Sequence, residues 1–167
     1  MGEDLTEKNE RELHQALGWV TVAFSNLEAE LAFGIWEMID EKNWTKTAAI
    51  TAGRRMLDLL DLYLALAKMQ APDAAAALTD IMSRLRSVND RRNRYVHSIW
   101  TKEWGVELRV RYSARGKKGF QQEVEKSDPK AIRQVGDDAI ELAEEINDIN
   151  RQHVGRKKPS RPPPPPT

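Results

Sequence analysis

From Leu13 to Met38 the apolar residues Leu13, Leu17, Val20, Phe24, Leu27, Leu31, Ile35 and Met38 recur at alternating steps of three and four. That spacing sets them on one face of a helix, so the stripe predicts a long helix with one buried side. A polar break, "DEKNWTKT", precedes a second stripe through Ala49, Ala52, Met56, Leu59, Tyr63 and Leu66 that stops near Pro72. A third runs through Leu78, Ile81, Leu85 and Val88 toward Tyr95 and Ile99. Short connections make the three helices antiparallel neighbours.

At Trp104 the period changes to two. Trp104, Val106, Leu108, Val110 and Tyr112 alternate with Gly105, Glu107, Arg109 and Arg111, the pattern of a strand with one apolar face. "SARGKKG" supplies a turn and "FQQEVEK" a return strand, which predicts a hairpin over about residues 103–126. Asp128 then suits a helix N-cap and Pro129 the first helical position. A last stripe follows through Ile132, Val135, Ala139, Leu142, Ile146 and Ile149. The expected fold is mainly α: a four-helix up-down bundle with a β-hairpin inserted between helices 3 and 4. Residues 1–154 make this one helical domain. Residues 155–167 hold five consecutive prolines and nothing to bury, and are expected to be a disordered, basic, proline-rich tail.

The composition changes this picture little. There are 26 basic and 26 acidic side chains, so no overall field attracts nucleic acid or membrane. The cations Arg156, Lys157, Lys158 and Arg161 lie in the tail without an acid, which leaves the body acidic. An RNA site must therefore be a local patch. With no cysteine and three separated histidines, His14, His97 and His153, no zinc site and no cofactor is expected. The acidic N-terminus does not resemble a signal peptide, and Met1-Gly2 with Thr6 matches a myristoylation pattern that often arises by chance. No run of about 18 apolar residues is present, and a cytoplasmic location is the expectation.

Candidate chemistry gathers in "RRNRYVHSIW", residues 91–100. Continuing the third stripe by threes and fours sets Arg92 on the core seam, between Val88 and Tyr95. There it must be paired, line a polar cleft or face another subunit, because an unpaired buried charge is too costly. Arg86, Asp90, Asn93 and His97 fall within about 60° of one another on the adjoining flank. The simplest explanation is a helix end that collects cations to complement its dipole.

The order Arg92, Asn93, three residues, His97, near the end of a third helix, resembles the hallmark of the HEPN superfamily of helical proteins. The ending "HSIW" is also similar to uncharacterised bacterial and phage members. The resemblance implies a metal-independent ribonuclease in which two copies of the motif face each other across a homodimer cleft. RNA carries its own nucleophile, the 2′-hydroxyl, so the protein need only manage protons and charge. On this reading His97 is the general acid or base, and Arg92 holds the phosphate and stabilises the charge of the transition state. Asn93 orients His97 or the phosphate. On an ideal helix Arg92 lies roughly 140° from His97, which makes a second protomer part of the expectation. A toxin, phage-defence or stress role would add an antitoxin or regulatory protein to RNA and a second copy as partners.

Around this motif, Glu28 is the candidate to orient Arg92 from the first helix, with Asp90 and Trp100 in supporting roles. Trp100 either walls the cleft or braces the hairpin. Arg86, Arg115, Lys117 and Lys118 are the candidate RNA contacts. If Tyr112 faces Phe120, Arg109 lies opposite Glu123 and close to Glu125, which neutralises part of the hairpin's charge. Trp19 and Trp36, beside the first stripe, are expected in packing roles; Trp44 and Trp104 are the other indoles. The alternative is a noncatalytic helical module that keeps the motif for RNA binding or protein interaction. A different hydrolase class lacks support, since no phosphate-binding glycine loop or nucleophile elbow occurs.

Overall fold

The computed structural model describes residues 5–40, 43–103, 106–113, 121–126 and 128–155. The chain is mainly helical, with a small antiparallel sheet. The elements are α1 (Leu5–Asp40), α2 (Trp44–Thr51), α3 (Met56–Gln70), α4 (Pro72–Val96), β1 (Ile99–Glu103), β2 (Val106–Ser113), β3 (Gln121–Lys126) and α5 (Pro129–Ile149). A single π-helical turn, Asn150–Val154, follows and ends at Gly155, whose φ of 83° is the left-handed geometry that glycine adopts cheaply. Among the described residues no helix is long and apolar enough to cross a membrane. The tail assigned to residues 155–167 lies outside the described residues, except for Gly155.

Three of the sequence stripes hold. Seven of the eight residues of the first are buried, Leu17 being half-exposed, and all six of the last are buried on α5. Asp128 caps α5 as expected, its Oδ1 accepting from the backbone N–H groups of Lys130 at 3.0 Å and Ala131 at 3.2 Å. The stripe of α4 holds through Val88.

The second stripe is corrected. It is carried by two helices, because Gly53 takes a φ of 71° and the break resets the helical phase. Ala49 and Ala52 are consequently exposed, while Thr47 and Thr51 are buried. Part of "DEKNWTKT" is itself helical: the Asn43 side chain accepts from Lys46 N at 3.2 Å and starts α2.

The hairpin is corrected to three strands in the order β1-β2-β3. α4 stops at Val96, so Ile99 does not continue its stripe but opens β1, paired with Val110. In the β2–β3 register Arg109 faces Glu125, Val110 faces Val124 and Tyr112 faces Gln122. The register considered above, with Tyr112 opposite Phe120 and Arg109 opposite Glu123, is therefore not the one formed but differs from it by two residues. A slip of two leaves every side chain on its original face, so apolar alternation cannot distinguish the registers.

The chain divides into two compact units: the described parts of Met1–Asn26 and Arg84–Glu141, and those of Leu27–Ser83 and Leu142–Thr167. In the first, Arg84 bonds Glu141 at 3.2 Å and Arg91 bonds Asp138 at 2.5 Å. Position rises along α4 as it falls along α5, so these helices run antiparallel. Trp19 of α1 joins them, donating from Nε1 to Asp137 at 2.7 Å beneath the Arg133 guanidinium. A β-carbon on Gly136 would strike this indole.

In the second unit Tyr63 is fully buried and its hydroxyl donates to Asn150 Oδ1 at 2.9 Å. Asn150 Nδ2 donates in turn to the Glu30 carbonyl at 2.9 Å. The backbone of Gly34 lies so near that an added β-carbon would overlap both Asn150 and the Tyr63 ring. Trp36 donates to Thr51 Oγ1 at 2.8 Å and meets Phe33 edge to face.

Candidate functional site at the C-terminal end of α4

The polar end of α4 lies within the first unit. A helix end leaves backbone carbonyls without intrahelical partners, and here side chains from Ser98 and the following strands donate to them. Arg109 Nη1 donates to the Arg94 carbonyl at 3.2 Å, and the Ser98 hydroxyl donates to the same oxygen. Trp100 Nε1 donates to the Tyr95 carbonyl at 3.2 Å. Trp100, expected either to wall the cleft or to brace the hairpin, ties β1 to the end of α4 by this bond. His97 N still bonds the Asn93 carbonyl, at 3.3 Å, so His97 prolongs the last turn by one residue and faces solvent.

The three motif residues lie within six positions, but the structure joins them differently from expectation. Asn93 does not bond the His97 ring. Its Oδ1 accepts from Arg92 Nη1 at 3.0 Å. Arg92 is half-buried, with its guanidinium 5.6 Å from the centre of the Phe24 ring, a cation–π arrangement. Arg92 Nε is buried without a hydrogen-bond acceptor. Among the described residues no carboxylate pairs with Arg92, and the His97 imidazole has no partner.

Glu28, expected to orient Arg92, is half-buried, belongs to the second unit and has interactions of its own. Within the first unit the neighbouring Asn93 and the face of Phe24 hold the Arg92 guanidinium. Asp90 and Arg86 are exposed on the same helix, and Arg86 is not free. Arg115, Lys117, Lys118, Trp104 and Phe120 lie outside the described residues, as does the side chain of Trp44.

Of the arginines in "RRNRYVHSIW", Arg91 is committed to the fold. Burial alone would raise the carboxyl of its partner Asp138. The hydrogen bonds from Gln134 and Arg91 and the charges of Arg91 and Arg84 nevertheless hold it below the usual carboxylate range. Arg109 is also committed, and it is 6 % exposed although it alternates with the apolar positions of its strand. Its guanidinium pairs with Glu125 and lies 5.5 Å from the centre of the Tyr95 ring. Phe24 and Arg109 are the two site residues that sequence reasoning missed. Phe24 looked like any other position of a core stripe, and Arg109 like any outward residue of a strand. A strand arginine in register with Trp100, close after a helix end, was the available signal.

Chemically, the helix end presents a cation that lacks an anionic partner, an amide fixed to it and an exposed imidazole. Among the described residues no cluster of His, Cys, Asp or Glu is arranged to hold a metal ion. No family model, no curated protein and no solved structure matches this chain.

Proposed function

We propose that the protein is a metal-independent endoribonuclease of HEPN type, folded as a helical bundle with the sheet inserted before the last helix. Its site is completed by a second copy of the chain. The observation that carries this reading is Arg92, a half-buried guanidinium with no carboxylate, fixed by Asn93 at the helix end where His97 is exposed. Arg92 holds the scissile phosphate and stabilises its added charge. His97 takes the proton from the 2′-hydroxyl or gives one to the departing 5′-oxygen. With one such imidazole per chain at this end, the twofold pair supplies both acid and base. The protein acts on RNA in the cytoplasm, in a toxin or phage-defence system under an antitoxin or regulator.

The test is incubation of the purified chain with single-stranded RNA in EDTA. Cleavage that leaves 2′,3′-cyclic phosphate ends and disappears in His97→Ala supports the reading; intact RNA across varied substrates overturns it. A second reading, a noncatalytic RNA-binding or protein-interaction module, draws on the ion pairs that occupy Arg91 and Arg109 and reduce the local positive charge. RNA binding without cleavage would select it.

A further inference from the structure

We infer that Arg109 is a positioning residue for His97, an inference that rests on the ribonuclease reading of the same site. Arg109 lies on the central strand of the sheet, and its side chain is 7 % exposed. A guanidinium is costly to bury, and this one is offset by three partners: the Glu125 carboxylate, the Tyr95 ring and the Arg94 carbonyl. The last two belong to the final turn of α4. Arg94 and Tyr95 are three and two residues before His97, and the Arg94 carbonyl also accepts from Ser98, the residue after it.

His97 therefore sits in a stretch held on both sides but is itself outside α4. Among the described residues no hydrogen bond or ion pair holds its ring, so the part of the side chain that the fold places is its Cβ, through the backbone. The backbone is fixed by the bonds of His97 N to Asn93 O and Ser98 N to Tyr95 O, at 3.3 and 3.4 Å, both weak enough to fray without support. Arg109 supplies that support from the sheet, with Glu125 holding the far side of its guanidinium. Trp100 gives a second brace on the Tyr95 carbonyl. The sheet thus fixes the helix end that carries the imidazole.

The experiment compares the full-length wild-type chain with Arg109→Met, Arg109→Lys and Trp100→Phe by amide hydrogen exchange and by RNA cleavage. Arg109→Met should speed exchange at His97 and Ser98 by about tenfold while Val20 and Val135 remain protected. The same variant should lower kcat by about tenfold or more with KM nearly unchanged, because the geometry of proton transfer is lost and RNA affinity is not. Arg109→Lys, which keeps the charge but not the fork, should fall between. If Arg109→Met does not fold, Arg109→Lys decides by the same two readouts.

Unchanged exchange at His97 and Ser98 in a folded Arg109 variant overturns the inference, whether or not the protein cuts RNA. Faster exchange with wild-type kcat also overturns it, leaving Arg109 a structural role. A wild-type chain that cuts no RNA overturns the ribonuclease reading and with it the catalytic part of this inference. The exchange result then still decides whether Arg109 holds the helix end.

Discussion

Arg92 Nη1 donates to Oδ1 of its own neighbour Asn93 at 3.0 Å, so two side chains that diverge by about 100° on the helix meet at one point. The bond leaves the guanidinium its full charge, because an amide oxygen, unlike a carboxylate, does not neutralise it. Arg92 and Asn93 should therefore act as a unit. Arg92→Ala and Asn93→Ala should each slow RNA cleavage, by about 10²-fold or more for Arg92. The double variant should cost less than the product of the two, as expected for residues that share one interaction. A double-mutant cycle on kcat/KM, with circular dichroism to verify folding, measures this.

Arg91 stands beside Arg92 in sequence and should behave in the opposite way. Arg91→Met should leave cleavage close to wild type while lowering stability by about 1 kcal/mol, through loss of the part-buried pair with Asp138. Urea melts beside the RNA assay separate the two effects.

Asp138 should make stability acid-sensitive. Its folded pKa is depressed, so its contribution is present above the unfolded value, ordinarily about 3.9, and is lost as pH falls through the folded value. Between pH 7 and 2.5 the wild type should lose more stability below about pH 4 than Asp138→Asn does. Parallel pH profiles would show that the pairing is not responsible.

In the second unit, burial pushes the Tyr63 hydroxyl up to about 12. Because the raised group keeps its proton in the fold, the stability it contributes is complete below about pH 10 and is lost as pH rises toward 12. An absorbance titration should show one late-ionising tyrosine that is missing in Tyr63→Phe.

Gly34→Ala should destabilise by about 1–3 kcal/mol, since its methyl group has no room beside Asn150 and Tyr63. Asn150→Ala should cost a similar amount, about 1–3 kcal/mol, by leaving the buried Tyr63 hydroxyl without its acceptor. Thermal denaturation of both variants tests this network without reference to function.

The sequence by itself determined α1, α5 and most of α4, because a stripe at helical spacing needs only the chain's own periodicity and a burying partner. It also determined the Asp128 cap and the motif Arg92, Asn93, His97. It did not determine where α4 ends. Arg92, Tyr95 and Ile99 continue the helical spacing, and the chain leaves it at Val96 because the sheet and its side chains take up the last carbonyls. Nor did it determine the β2–β3 register, since a slip of two keeps every residue on its face. Tertiary structure alone decided the partners that the charges find on other elements: Arg91 with Asp138, Arg109 with Glu125, Arg92 with the face of Phe24. Periodicity specifies which side of an element is buried, whereas a charge finds its partner only when separate elements meet.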